Sequence, residues 1–183
     1  MGHLLLAQEA RFQLELDRLL LVTTRRAPHK EIEDDPGAEV RLELTERAAE
    51  GEQGVQASGL EIEREGPSYT YLTLEALAED EPGRQIFFLL GADMAAGLAS
   101  WKRPERVVEL ARLGVVPRPG VGLGAVRSAL ERLGAADRAE IIEMPLCGVS
   151  STMIRQRAAA AKPLRHLVPD RVAEMIQERG LYR

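Results

Sequence analysis

The segment Gly148-Val149-Ser150-Ser151-Thr152-Met153-Ile154-Arg155-Gln156-Arg157 places hydroxyl side chains at the opening of a predicted helix and arginines in its first turns. The first N–H groups of a helix lack intrahelical partners and form the positive end of its dipole, so they receive anions. Ser150, Ser151 or Thr152 can cap this helix and offer a hydroxyl, and Arg155 adds a planar fork that matches phosphate oxygens. That chemistry is phosphate binding. Taken alone, the pattern fits an ordinary capped helix with solvated arginines equally well.

Composition narrows the choice. The 183 residues are 45% hydrophobic, enough to bury a substantial core in a single domain spanning 1–183, with a small helical part from about residue 150. Lys plus Arg number 24 against 29 Asp plus Glu, a net charge of -5, so any anion must meet a local cluster. This balance argues against nonspecific binding to nucleic acid or to an anionic membrane. Cys147, the single cysteine, cannot form an intrachain disulfide, and no apolar run is long enough to span a bilayer. The expected compartment is the cytoplasm. His3, His29, His166 and Cys147 show no metal-ligand spacing.

The elements that must position the hydroxyl cluster alternate between strand-length apolar runs and helical patterns. Helices are predicted at about 4–14, 38–49, 69–78, 104–110, 123–133, 151–160 and 170–179, and strands at 19–23, 54–58, 86–90, 113–116 and 139–144. Strands buried on both faces and separated by helices predict an α/β fold with a doubly wound parallel sheet. Such sheets bind ligands beyond the carboxyl ends of their strands. The polar segments 24–30, 91–101 and 147–155 follow strands and are expected to converge on one crevice.

Several motifs then agree in order and spacing: Pro28-His29-Lys30, Glu65-Gly66-Pro67-Ser68-Tyr69-Thr70, Phe88-Leu89-Leu90-Gly91-Ala92-Asp93, Trp101, Val115-Val116-Pro117-Arg118-Pro119-Gly120, Ser150 to Arg155, and Val168-Pro169 through Gly180-Leu181-Tyr182. Together they resemble the bacterial nicotinate-nucleotide adenylyltransferases over essentially the whole chain. The resemblance implies a Rossmann-like nucleotidyltransferase that moves AMP from ATP to nicotinate mononucleotide, yielding deamido-NAD and pyrophosphate with Mg²⁺ assisting. Such chemistry needs no protein nucleophile; positioning and charge neutralisation carry the rate.

By the same resemblance Ser151, Thr152 and Arg155 hold the ATP phosphates, and Gly91 and Asp93 face the adenosine ribose. For Asp93 the competing role is a helix N-cap. Trp101, the only tryptophan, offers a face to the nicotinate ring, against the alternative of core packing. Tyr69 and Thr70 open a helix whose N–H groups suit the nicotinate carboxylate, which would select acid over amide. His29 and Lys30, with Arg25 and Arg26 nearby, form a positive cluster suited to substrate phosphate, or a solvated loop. Arg118 reaches the ATP or lies on the surface. Whether copies of the chain associate is left open by the sequence.

The front of the chain departs from the family. Members open with a strand, a glycine-rich turn and a His-x-Gly-His motif, whereas this chain begins Met1-Gly2-His3, matching only the motif's last two residues. The expectation is that an internal methionine was taken as the start. The natural chain would then be longer by about 15 to 20 residues, which would hold the central strand of the sheet, the glycine-rich phosphate loop and the motif's first histidine, and the chain without them would be poorly folded, inactive or both. His3 becomes the motif's second histidine, donating to ATP phosphate, and with Arg155 the expected catalytic pair; Gly2 joins the ATP site. The alternatives are a related adenylyltransferase using nicotinamide mononucleotide or phosphopantetheine, and a noncatalytic nucleotide-binding protein.

Overall fold

A computed structural model describes residues 1–25 and 35–183. The chain runs α1 (Gly2–Gln13), β1 (Leu19–Val22), α2 (Ala38–Ala49), β2 (Val55–Ser58), α3 (Leu60–Glu63), α4 (Thr70–Asp80), β3 (Phe87–Gly91), α5 (Ala92–Ala96), α6 (Pro104–Leu110), β4 (Arg112–Val116), α7 (Leu123–Arg132), β5 (Ala139–Ile141), α8 (Ser151–Ala159) and α9 (Asp170–Glu178). It divides into two compact units, Met1–Ser68 with Pro145–Arg183, and Tyr69–Met144. Among the described residues all strand pairing is parallel, in two ladders ordered β1-β2 and β3-β4-β5.

In the first unit, Leu19 pairs with Val55 and Val22 with Ser58. Both Leu19 and Val55 are buried, as are Ala7 and Ala10 of α1 and Ala49 of α2. The Arg11 guanidinium ties α1 to the turn before β2 by donating to the Gln53 carbonyl. A separate apolar cluster joins α8 to α9. Ile154, Ala158, Leu164, Val172 and Ile176 form it, with Leu44, Val149, Met153, Leu181 and Tyr182 packed against them. In α9 the buried residues Val172, Met175 and Ile176 fall at the i, i+3, i+4 spacing of one helix face.

The second unit is built on β4, whose Leu113, Gly114, Val115 and Val116 are all buried. Strands β1 and β3 fall short of the expected two-sided burial, since most of their residues are half-buried. Around β4 pack Leu90, Ala92, Ala95, Leu98, Val107, Val126 and Leu130. Pro104 opens α6 at a first-turn position, where its missing N–H costs nothing. Arg106 then bridges two helices, its Nε 2.8 Å from Glu75 of α4 and its Nη1 2.8 Å from Glu109.

Strand β5 stops at Ile141, earlier than the apolar pattern predicts, although the Ile142 N–H still donates to the Val115 carbonyl at 2.9 Å. The short helices α3 and α5 have no range in the sequence reading, which marks α5 only by the competing N-cap role of Asp93, because four or five residues are too few to show a period.

Candidate active site

In the second unit the strand register brings two site segments together. Gly91 is paired with Val116, so the chain leaves β3 and β4 at the same level. Asp93 lies in the first turn of α5, whose N-cap is Gly91 with no side-chain cap bond, so Asp93 is not the cap that its position after a strand suggested. Its Oδ1 faces Arg118 Nε at 3.8 Å, and both side chains are more than half exposed. An exposed pair of this kind is worth under about 1 kcal/mol and parts readily. Gly91 leaves room for the Asp93 side chain. A Cβ there would collide with the Asp93 carboxylate and lie 3.0 Å from Arg118 Nε.

A second group in this unit is aromatic. Trp101 is half-buried, packs on the core and meets the Phe88 ring edge-on at 6.0 Å between centroids. The packing role weighed against a ligand role in the sequence is thus present, while the half-buried ring leaves part of its surface uncovered. Two residues on, Arg103 adopts the left-handed region at φ 50°, uncommon for a residue with a Cβ, and holds its guanidinium 5.3 Å from the Tyr71 ring. Tyr71 stacks with Tyr69 at 6.1 Å. Tyr69 is the N-cap of α4 and Thr70 its first residue, with no side-chain cap bond on the leading N–H groups.

In the first unit the phosphate-type segment folds as its residue types suggest. Ser150 is the N-cap of α8 in extended backbone, and its Oγ accepts the Met153 N–H at 3.1 Å. That leaves Ser151 and Thr152 exposed on the first turn. Arg155 Nη2 donates to Thr152 Oγ1 at 3.3 Å, so the guanidinium lies back over the helix opening. The start of α1 comes to the same place: a Cβ on Gly2 would be 3.7 Å from Cys147 Sγ and 3.9 Å from the Val149 carbonyl oxygen. Gly2 and His3 open one helix beside the strand of chain that leads into the other.

Tyr182 packs in the cluster beneath α8. Burial pushes its hydroxyl above the ordinary range; Arg155 and Arg41 oppose that shift and Asp35 reinforces it. The Gly-Leu-Tyr ending noted in the sequence thus stands within electrostatic reach of Arg155.

His29, Lys30 and Arg26 lie outside the described residues. Arg25, grouped with them by sequence, has another use. Its Nη1 donates to the carbonyls of Ile62 at 3.0 Å and Arg64 at 3.4 Å. The residues that sequence reasoning missed are Arg41 and Asp35. Arg41 Nη1 donates to the Thr24 carbonyl at 2.6 Å, Nη2 to the Arg25 carbonyl at 3.1 Å and Nε to Asp35 Oδ1 at 3.0 Å. Backbone carbonyls as partners leave no periodic trace in a sequence. Among the described residues no group of three or more His, Cys, Asp or Glu is arranged to hold a metal, and no helix is long and apolar enough to cross a membrane.

The family model described as cytidylyltransferase-like matches residues 1–157, and the parallel strands with flanking helices and the capped, arginine-bearing helix opening are those of a nucleotidyltransferase with that family's fold. The chain is 35% identical over 181 residues to the nicotinate-nucleotide adenylyltransferase of Bacillus subtilis (strain 168), covering 99% of this chain and 90% of that protein. It is 37% identical over 182 residues to the "Probable nicotinate-nucleotide adenylyltransferase" of Roseiflexus sp. (strain RS-1), covering 100% and 91%. Its fold matches the Plasmodium falciparum nicotinic acid mononucleotide adenylyltransferase complexed with APC at TM-score 0.73 and 16% identity, over 99% of this chain and 89% of that one. The chain belongs to the nicotinate-nucleotide adenylyltransferase family.

Proposed function

We propose that the protein transfers AMP from ATP to nicotinate mononucleotide, forming deamido-NAD and pyrophosphate. An oxygen of the mononucleotide's 5′-phosphate attacks the α-phosphorus in line; the bond from that phosphorus to the oxygen bridging to the β-phosphate breaks, and pyrophosphate leaves with the electron pair. No side chain is acylated or phosphorylated, so the chain contributes alignment and charge.

The observation that carries this reading is the meeting of Gly2, at the start of α1, with residues 147 and 149 just ahead of the Ser150 cap. Two helix openings then present N–H groups, the Ser151 and Thr152 hydroxyls, His3 and Arg155 to one polyphosphate. His3 and Arg155 stabilise the charge that develops around the α-phosphorus. Gly91, Asp93 and Arg118 take the adenosine part of ATP: glycine admits close approach, and the carboxylate accepts from sugar hydroxyls. Trp101 stacks on the nicotinate ring, the leading amides of α4 at Tyr69 and Thr70 take its carboxylate, and His29 and Lys30 take the mononucleotide's phosphate. The described residues offer no metal cage. Mg²⁺ enters as part of the substrate, on the phosphates of ATP, where it keeps several of its waters.

The test is formation of deamido-NAD from ATP and nicotinate mononucleotide, with nicotinamide mononucleotide as competitor. We expect turnover with the acid and a much weaker response to the amide. Equal use of both would overturn the assigned specificity, and ATP binding without turnover would favour a noncatalytic nucleotide-binding protein.

A further inference from the structure

Ser68 immediately precedes Tyr69 and Thr70 and is 8% exposed. A buried hydroxyl is retained where it has a partner, and this one accepts the Arg25 N–H at 3.1 Å. Arg25 is itself held on three sides. Its guanidinium donates to the carbonyls of Ile62 and Arg64, in the stretch that leads to Ser68. Its own carbonyl accepts from Arg41 Nη2, while Arg41 Nη1 takes the neighbouring Thr24 carbonyl. Arg41 is anchored in turn: its Nε meets Asp35 Oδ1, which also accepts the Gly37 N–H at 3.2 Å, and its place on α2 is fixed where Thr45 Oγ1 donates to its carbonyl at 2.8 Å. A continuous set of hydrogen bonds therefore runs from α2, through the chain that leaves β1, to Ser68.

We propose that Ser68 and Arg41 are positioning residues for acid recognition: through Arg25 they hold the chain at the threshold of α4, and so set where the Tyr69 and Thr70 amides stand. The inference rests on the role given above to those amides. Neither side chain needs to touch the mononucleotide. Amide donors discriminate a carboxylate from a carboxamide only when their direction is fixed, and a turn free to rotate accepts either. Arg25 is thereby a fastener rather than a phosphate ligand, since both its backbone and its guanidinium are engaged.

Two kinds of measurement separate this relay from the proposed function. Amide hydrogen exchange in a peptide spanning residues 66–72 needs no turnover; it should quicken about five- to tenfold in Ser68→Ala and in Arg41→Ala, the effect of losing one such bond. Unchanged exchange in both variants overturns the relay whatever the enzyme does. In steady-state assays both variants should raise the KM for nicotinate mononucleotide about five- to tenfold and narrow its preference over nicotinamide mononucleotide by a similar factor. The KM for ATP should stay within about twofold. Ser68→Thr, which keeps the hydroxyl, should recover most of the loss. The double variant should fall short of the product of the two single effects, as members of one network do. Equal rises in both KM values overturn the relay as a device for acid recognition. Absence of turnover in the unaltered protein counts against the proposed function and leaves the exchange test to judge the relay. Should Ser68→Ala fail to fold, Arg41→Ala, altered on a partly exposed helix face, carries the same expectations.

Discussion

Gly91 and Asp93 interlock: the space a Cβ would take on Gly91 is already filled by the Asp93 carboxylate, with Arg118 Nε 3.0 Å from the same point. Gly91→Ala must displace that carboxylate or the strand end. We expect the KM for ATP to rise about tenfold, equivalent to about 1.4 kcal/mol, with a much smaller effect on the KM for nicotinate mononucleotide. Steady-state kinetics with each substrate varied in turn checks this.

Trp101 has a packing role and a proposed stacking role that substitution can separate. Trp101→Ala removes both its edge contact with Phe88 and the proposed stacking face, so stability should fall by about 1–2 kcal/mol while nicotinate mononucleotide binding weakens. Trp101→Phe should restore most of the stability and part of the binding. Thermal denaturation beside a titration of each nucleotide reads the two effects independently.

Ser150 and Arg155 are neighbours with different duties. Ser150→Ala loses the cap on α8, costing about 1 kcal/mol and lowering the Tm by about 2–4 °C. Arg155→Ala loses only an exposed bond to Thr152 from the fold, yet should slow transfer about a hundredfold, the scale for removing one donor from developing charge. If Arg155→Ala changed stability and spared kcat/KM for ATP, the phosphate assignment would be wrong.

Tyr182 gives a pH signature. Its hydroxyl is raised above the ordinary value near 10 chiefly by burial, so above that pH the unfolded chain ionises before the folded one does. The folded state then binds more protons. The stability this group contributes is whole below about pH 10 and drains away as pH rises toward the folded value. Tyr182→Phe should flatten that part of the alkaline fall in Tm; identical curves for both proteins would contradict it.

Leu113 is fully buried in the middle of β4, and Leu113→Ala should cost about 2–5 kcal/mol by chemical denaturation.

The elements were legible wherever burial imposed a period. Helices Ala38–Ala49 and Pro104–Leu110 coincide with the ranges 38–49 and 104–110 expected from the sequence. The Ser150 cap was legible for the same reason, since capping chemistry is local. Three features were not. Asp93 after a strand looked like a cap, but the helix begins two residues sooner and Gly91 takes that place. Arg25 looked like a ligand for phosphate because sequence shows its charge and not the two carbonyls, 37 and 39 residues away, that occupy it. Arg41 gave no signal at all, because an arginine bonded to backbone is indistinguishable in sequence from one facing water.

The register of β3 on β4 has one more effect. Phe87 opposite Arg112 and Gly91 opposite Val116 fix the length of chain that remains before Asp93 on one side and Arg118 on the other. Their facing carboxylate and guanidinium are thus cut to measure by backbone bonds that touch neither. Slippage by a single residue would flip alternate side chains and leave one arm of the pair too short. The sheet thus gauges the spacing of that pair, and, on the ATP role proposed for it, drift in alignment should register as a rise in the KM for ATP while the fold still stands.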